Sequence, residues 1–500
     1  MQGRRRIAPP FPFGYNPSTM KALRFLFLAV LIAPLAAQTA APAKKSAGSA
    51  EQRTARYFDS IKGDPILLRQ FLYHMPKGGD LHNHMSGAVY AESYIEWAAK
   101  DGWCVEKATL NIVRPKAGSG CDKATERPAT DALTDPGLYT EMIDAMSVRN
   151  WNPAQRSGQA QFFATFGRFD MGLAGSRFGS AFAELRRRNA AQNVHYLELI
   201  VQIDGARALI EAPKKLQWKE TAGKPDFAAM HHQLAADGLF QEKRSSILDK
   251  AEAAMNAALG CGGPKPEKAC DVPLRYQCQV LRAFPRESVF AQIAFCFELA
   301  NSDPRVVTLN LVQPEDWHVP VRDFDLHMRM IDYFHRQFPK MKITLHAGEL
   351  VFGQVPPEVL GTHIPMSIDM GHAVRIGHGT DVMHYPRPAD LLQEMVAKKV
   401  AVEISPSSSK FILGLEGKRH PFRHYLKAGV PVAIATDDEG VARSDLTNEY
   451  VQAVEQHALT YAEVKKISLD SLAYGFLPDA EKSAALAKLR AVFAEFEKNH

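Results

Sequence analysis

Four short runs hold the residues able to do chemistry. "LHNH" sets His82 and His84 two apart. At the end of a strand both imidazoles then point to one side and can reach one ion. A divalent ion held by nitrogen and carboxylate ligands, with one position left for water, suits zinc. "TLHAGE" offers His346 as a third nitrogen ligand and Glu349 three residues later. A carboxylate in a dry pocket, its pKa raised by desolvation, can pass a proton to a leaving group. "RIGHGT" offers His378, placed to orient an activated water, and "ATDDE" ends on Asp437 and Asp438. Two like charges after an apolar run are costly without a cation or a donor beside them. Asp437 as a fourth ligand and Asp438 as an acceptor for a substrate donor would resolve that cost. Each run alone has a plainer reading: a chance histidine pair, a Glu349 that complements a helix dipole, a His378 bonded to a core carbonyl, a solvated Asp-Asp turn. Together they describe three imidazoles and one carboxylate around one ion, a metal-dependent hydrolytic centre with Glu349, His378 and Asp437 as its catalytic groups.

Such residues need a scaffold that brings them together. Short apolar runs alternate with helical stretches along the chain, the pattern of βα units around a parallel sheet. Strands are predicted near 78–84 and at 194–201, 276–284, 305–312, 342–348, 373–379, 400–405 and 430–438, with helices such as 323–338 and 388–398 between them. Eight strands make an α/β fold, a (β/α)₈ TIM-type barrel over residues 61–500 with helical and disulfide-containing insertions. All the titratable residues named above fall at the C-terminal ends of their strands, the face on which this architecture builds active sites.

The bulk composition narrows the class. A 500-residue chain that is 46% hydrophobic can bury a large core. Arg4, Arg5, Arg6, Lys21 and Arg24 precede the first acid, Glu51, and account for the whole formal charge of +5. The remaining body is near neutral, which points to no nucleic-acid partner. Met20 to Ala41 has a basic start, an apolar run from Phe25 to Ile32 and small residues after Pro34. That is the layout of a signal peptide, and the run is shorter than the ~20 residues of a spanning helix. Residues 1–41 are therefore expected to be an extension plus signal peptide, 42–60 a linker, and the protein periplasmic or secreted with no stable membrane anchor. Six cysteines fit export. Cys104 with Cys121, and Cys261 with Cys270, could staple insertions, whereas Cys278 and Cys296 lie in apolar stretches and read as buried thiols.

"MPKGGDLHNHMSGA", "LHAGE", "RIGHGT", "EISPSSS" and "TDD" together resemble the adenosine/AMP deaminase family of metal-dependent hydrolases. The "MPKG" segment is similar to exported members related to the adenosine deaminase growth factors. The resemblance, over roughly residues 70–475, implies one zinc ion held by His82, His84, His346 and Asp437. It implies Glu349 as proton donor to purine N1, His378 as the residue that orients and deprotonates the attacking water, and Asp438 as acceptor for N7. The implied reaction is hydrolytic deamination of adenosine or a related 6-aminopurine nucleoside to the 6-oxopurine and ammonia. A small-molecule purine nucleoside is then the partner, and a homodimer is left open. Four positions depart from the family's pattern. Ser86, before Gly87, replaces an aspartate that binds the ribose; Gln313 replaces a glycine near the base; Ser405 replaces a cysteine; Glu439 replaces a proline. Ser86, Gly87 and Gln313 are the expected substrate contacts, and the first and last of them open the substrate to a modified adenine nucleoside or a free adenine-type base. A secreted binding or signalling protein with a vestigial site is the reading of another class. "FFATFGRFD" (Phe162 to Asp170) reads as an amphipathic core helix, with an apolar lid over the base as the alternative.

Overall fold

The computed structural model describes residues 48–169, 175–204, 206–240 and 246–500. Eight parallel strands run through them: β1 (Lys77–His84), β2 (Val194–Val201), β3 (Leu274–Leu281), β4 (Val306–Val312), β5 (Ile343–Ala347), β6 (Ala373–His378), β7 (Ala401–Ile404) and β8 (Val432–Ile434). Each lies where the apolar runs placed it. β1 to β4 form one parallel sheet in chain order and β5 to β8 another.

The two seams that join these half-barrels involve residues singled out for chemistry. At the first, Asn83 bridges Asp437: the Asp437 N–H donates to the His82 carbonyl at 2.8 Å, and the His84 N–H to the Asp437 carbonyl at 3.0 Å. At the second, side chains stand in for a backbone ladder. The Thr308 hydroxyl accepts from the Thr344 N–H at 3.2 Å, and Asn310 Oδ1 from the His346 N–H at 3.0 Å. At both seams, backbone groups of residues at the C-terminal mouth, His82, His84, His346 and Asp437, take part in closing the barrel.

The barrel interior is more polar than the strands suggest. Glu198, Gln277, Asn310, Arg375 and Glu403 are buried within it. Arg375 reaches Glu198 at 2.6 Å and Glu403 at 2.5 Å, and lies 3.8 Å over the Phe476 ring. Gln277 donates to Glu198 at 3.0 Å and accepts from Asn310 at 3.0 Å. Every charge in this belt is paired, the condition under which buried ions are tolerated.

Six helices matter below: α1 (Ala50–Ile61), α2 (Gly158–Ala164), α3 (Arg286–Ser302), α4 (His318–Gln337), α5 (His363–Asp369) and α6 (Asp479–Lys498). Residues 50–60, expected as linker, form α1 instead. Ser49 and Gln52 make a reciprocal capping box, and Thr54 donates to the Glu497 carbonyl of α6 at 3.3 Å. The cap and a stripe of Thr54, Phe58 and Ile61 dock this helix despite its charged outer face. The predicted signal peptide lies outside the described residues. No helix among the described residues is long and apolar enough to cross a membrane.

Cys104–Cys121 and Cys261–Cys270 are disulfides, the two pairs that the sequence allowed as staples. Cys278 and Cys296 are not thiols: they are bonded to each other. β3 and α3 are consecutive elements packed face to face, which brings their Cα atoms to 5.6 Å, within bridging reach.

Candidate active site

His82 and His84 leave the end of β1, His346 the end of β5, and Asp437 the turn after β8. Their donor atoms converge. His346 Nε2 lies 3.0 Å from His82 Nε2 and 3.1 Å from His84 Nε2. Asp437 Oδ1 is 3.2 Å from His84 Nε2 and 3.7 Å from His82 Nε2. The opposite ring nitrogens fix the tautomers. His82 Nδ1 faces Glu403 Oε2 at 2.8 Å, and His346 Nδ1 faces Asn310 Oδ1 at 2.8 Å. Both partners accept, so both Nδ1 atoms donate and both Nε2 atoms present lone pairs to each other. A divalent cation among the four groups satisfies all of them, so the residues fit a metal.

The electrostatics favour the neutral form for His84 and His346 and the protonated form for His82 when no ion is present. Burial holds His84 at about 3 and His346 well below the ordinary imidazole range, which keeps these rings neutral. Burial alone would lower His82, but Glu403 and Asp437 outweigh it and raise its pKa. Burial alone would raise Asp437, yet the neighbouring imidazoles keep it low and ionised. Glu403 also stays ionised, because Arg375 and His82 overcome the cost of its burial.

His378, ending β6, has a ring nitrogen within 4.8 Å of donor atoms of His82, His346 and Asp437. Burial holds it at about 4. Its Nδ1 has no hydrogen-bond partner and sits 3.7 Å from Glu349 Oε1, which has none either. Glu349 is 7% exposed, and burial, then the charges of Asp437 and Glu315, push its pKa well above the carboxylate range. Asp438 is raised likewise, by burial and by Asp437 beside it. Gln313, His378 and Asp437 adopt φ of 83°, 67° and 56°. Non-glycine residues in this left-handed region cluster where a site demands an unusual side-chain direction.

These groups floor a cavity of about 370 Å³. Ser86, Gln313 and Asp438 line it, as the sequence placed them. Gly87 does not. It lies behind Asp438, where a Cβ would come within 1.7 Å of Asp438 Oδ1, so its part is to make room for that carboxyl. Gln313 spends its side-chain oxygen on the Ala283 N–H at 2.8 Å. Phe162 of α2 is buried in a small apolar cluster, while Phe163 and Phe166 are half-buried, and all three line the cavity, so this segment is wall as well as core. Asp170 lies outside the described residues. Glu439, the departure after Asp438, is neutralised by Arg188 at 2.8 Å.

Three residues escaped the reading of the sequence. Glu403 and Asn310 orient the two histidines, and Glu315 accepts from the backbone N–H groups of Gly348 and Glu349 at 2.9 and 2.8 Å. A carboxylate inside "VAVEIS" and an amide inside "TLNLV" were the available signals: polar groups in strands buried on both faces need a partner.

The family model for adenosine deaminase matches residues 211–492, which contain His346, Glu349, His378, Asp437 and Asp438 and leave out β1. An adenosine deaminase of Shewanella loihica is 23% identical over 273 residues, 54% of this chain and 72% of that protein. The crystal structure of an amidohydrolase from Burkholderia ambifaria with bound Zn superposes with a TM-score of 0.54 at 15% identity, over 86% of this chain and 94% of the other. That of an N6-mAMP deaminase from Arabidopsis gives 0.54 at 17% identity, over 84% and 99%. Such likenesses show the shared barrel. With the family model spanning more than half of it, the chain belongs to the adenosine deaminase family and is an aminohydrolase.

Proposed function

We propose that the chain is an exported zinc enzyme that hydrolyses the 6-amino group of an uncharged adenine nucleoside, giving the 6-oxopurine and ammonia. The observation that carries this is the convergence of three imidazole Nε2 atoms and Asp437 at 3.0–3.7 Å. They stand beside an unpartnered Glu349 on the floor of an apolar-walled cavity. His82, His84, His346 and Asp437 would hold the ion, which when bound lowers the pKa of water so that hydroxide is available near neutrality. His378 has its free Nδ1 available to hold and take a proton from the attacking water. Glu349, kept protonated by burial, supplies the proton that purine N1 must take up as C6 becomes tetrahedral. N7 of a 9-substituted purine has a lone pair and no proton. Asp438 serves it as a protonated donor, the form its burial favours, and not as the acceptor that the sequence implied.

The walls bear on the substrate. Among the described residues no lysine or arginine lines the cavity, so nothing there matches a phosphate. Phe163, Phe166, Phe284 and Trp317 offer aromatic surface instead. That favours a nucleoside over a nucleotide, and it supports, as a second reading, an adenine nucleoside carrying an apolar substituent. Three disulfides and the predicted signal peptide support export.

The test is a panel of adenosine, deoxyadenosine, N6-methyladenosine, adenine and AMP, followed by the ultraviolet change on conversion to the 6-oxopurine. Turnover of a nucleoside with AMP inert supports the proposal. Glu349→Gln should retain zinc and lose on the order of 100- to 10,000-fold in kcat. Full activity in that variant would remove the assigned role, and AMP as the preferred substrate would overturn the nucleoside reading.

A further inference from the structure

Glu349 Oε1 has no hydrogen-bond partner to fix its aim. Its direction is set by its backbone, and that backbone is gripped from both sides. We propose that Glu315, in the loop after β4, is a positioning residue whose carboxylate clamps the Gly348–Glu349 peptide and so sets the angle at which Glu349 enters the cavity. The inference rests on the role proposed for Glu349.

Glu315 is 1% exposed. Its Oε1 accepts from the Gly348 N–H at 2.9 Å and its Oε2 from the Glu349 N–H at 2.8 Å. A two-point grip of this kind fixes an orientation as well as a distance. From the other side, the Gly348 carbonyl accepts from the Thr380 N–H and hydroxyl, each at 2.7 Å, and from the Asp381 N–H at 3.1 Å. Gly348 is held at φ 72°, so the turn into Glu349 is one that only a firm grip or a glycine makes easy.

Glu315 is itself anchored. His363 of α5 donates from Nδ1 at 2.5 Å, and the His363 ring is stacked on Phe324 of α4 at 3.7 Å and 1°. The Arg282 guanidinium lies 3.9 Å away, fully buried, and donates from its other nitrogens to the Gln313 and His346 carbonyls at 3.0 and 3.2 Å. One carboxylate thus ties the loops after β3, β4 and β5 together directly beneath the group proposed to move a proton. A structural anion alone would need only Arg282 and His363; the paired bonds to consecutive N–H groups next to Glu349 go beyond that.

Two variants test it on the zinc-loaded enzyme. Glu315→Gln is nearly isosteric but faces one N–H with an amide donor; Glu315→Asp keeps the charge and is one methylene short. The expected result for each is a kcat lowered on the order of 10- to 100-fold with KM changed less than about threefold. In a Glu349→Gln background the same changes should cost less than about a further twofold, because the group being aimed is already gone. Amide exchange at Gly348 and Glu349 should speed up by about tenfold or more. Losses that multiply across the two positions, or unchanged exchange in both variants, would overturn the proposal. If neither variant gives folded, zinc-loaded protein, Glu315 is a folding residue and the positioning role is rejected. Should the unmodified enzyme deaminate no 6-aminopurine, the functional reading fails by itself, and amide exchange alone decides whether Glu315 holds the segment.

Discussion

Glu403 does not line the active-site cavity, yet its oxygen 2.8 Å from His82 Nδ1 decides which nitrogen His82 presents to the cluster. Replacing it by glutamine keeps the shape and removes the charge. Glu403→Gln should weaken metal affinity by about 10- to 100-fold, measured by competition with a chelator. Unchanged affinity would mean that the aim of His82 comes from packing. Gly87 acts by what it lacks. Gly87→Ala places a methyl 1.7 Å from Asp438 Oδ1, so Asp438 must turn away while the four proposed ligands stay in place. Normal zinc content with kcat/KM for adenosine reduced on the order of 10- to 100-fold is the expected outcome. An alanine variant with full activity would dissociate Asp438 from substrate binding.

At the scale of elements, the strands were legible as short runs rich in apolar residues, and β1, β5, β6 and β8 end on or just before a titratable residue. What lies inside them was less so. Gln277, Asn310, Arg375 and Glu403 alternate with apolar residues, and alternation ordinarily means that the polar side faces water. Here both faces are covered, so these groups point inward and must satisfy one another. Two chains of contacts leave Arg375: one passes through Glu198, Gln277 and Asn310 to His346, the other through Glu403 to His82. Arg375→Met would strand two buried carboxylates. It should destabilise the fold by about 3–5 kcal/mol, read from the shift of the unfolding midpoint. A change within about 0.5 kcal/mol would show that the belt is not cooperative. The Cys278–Cys296 bond and Glu315 were hidden for a different reason. Each depends on how one βα unit packs against the next, and spacing along the chain does not encode that.

Over the whole molecule, the proposed export and the proposed small uncharged substrate rest on the neutral body, the three disulfides and the polar-floored, aromatic-walled cavity. Motifs far apart in the chain announced the centre because ligand chemistry tolerates few residue types. The walls that choose the substrate were less readable, since phenylalanines in a half-buried helix look the same whether they line a cavity or fill a core. The most direct test of the central claim is zinc content and adenosine deamination measured on one preparation of residues 42–500, before and after chelation. About one zinc per chain, activity lost with the metal and regained when zinc is restored, is the result that follows from four groups converging on one ion. Undiminished turnover after the metal is gone, or a full zinc complement with no 6-aminopurine consumed, would contradict it.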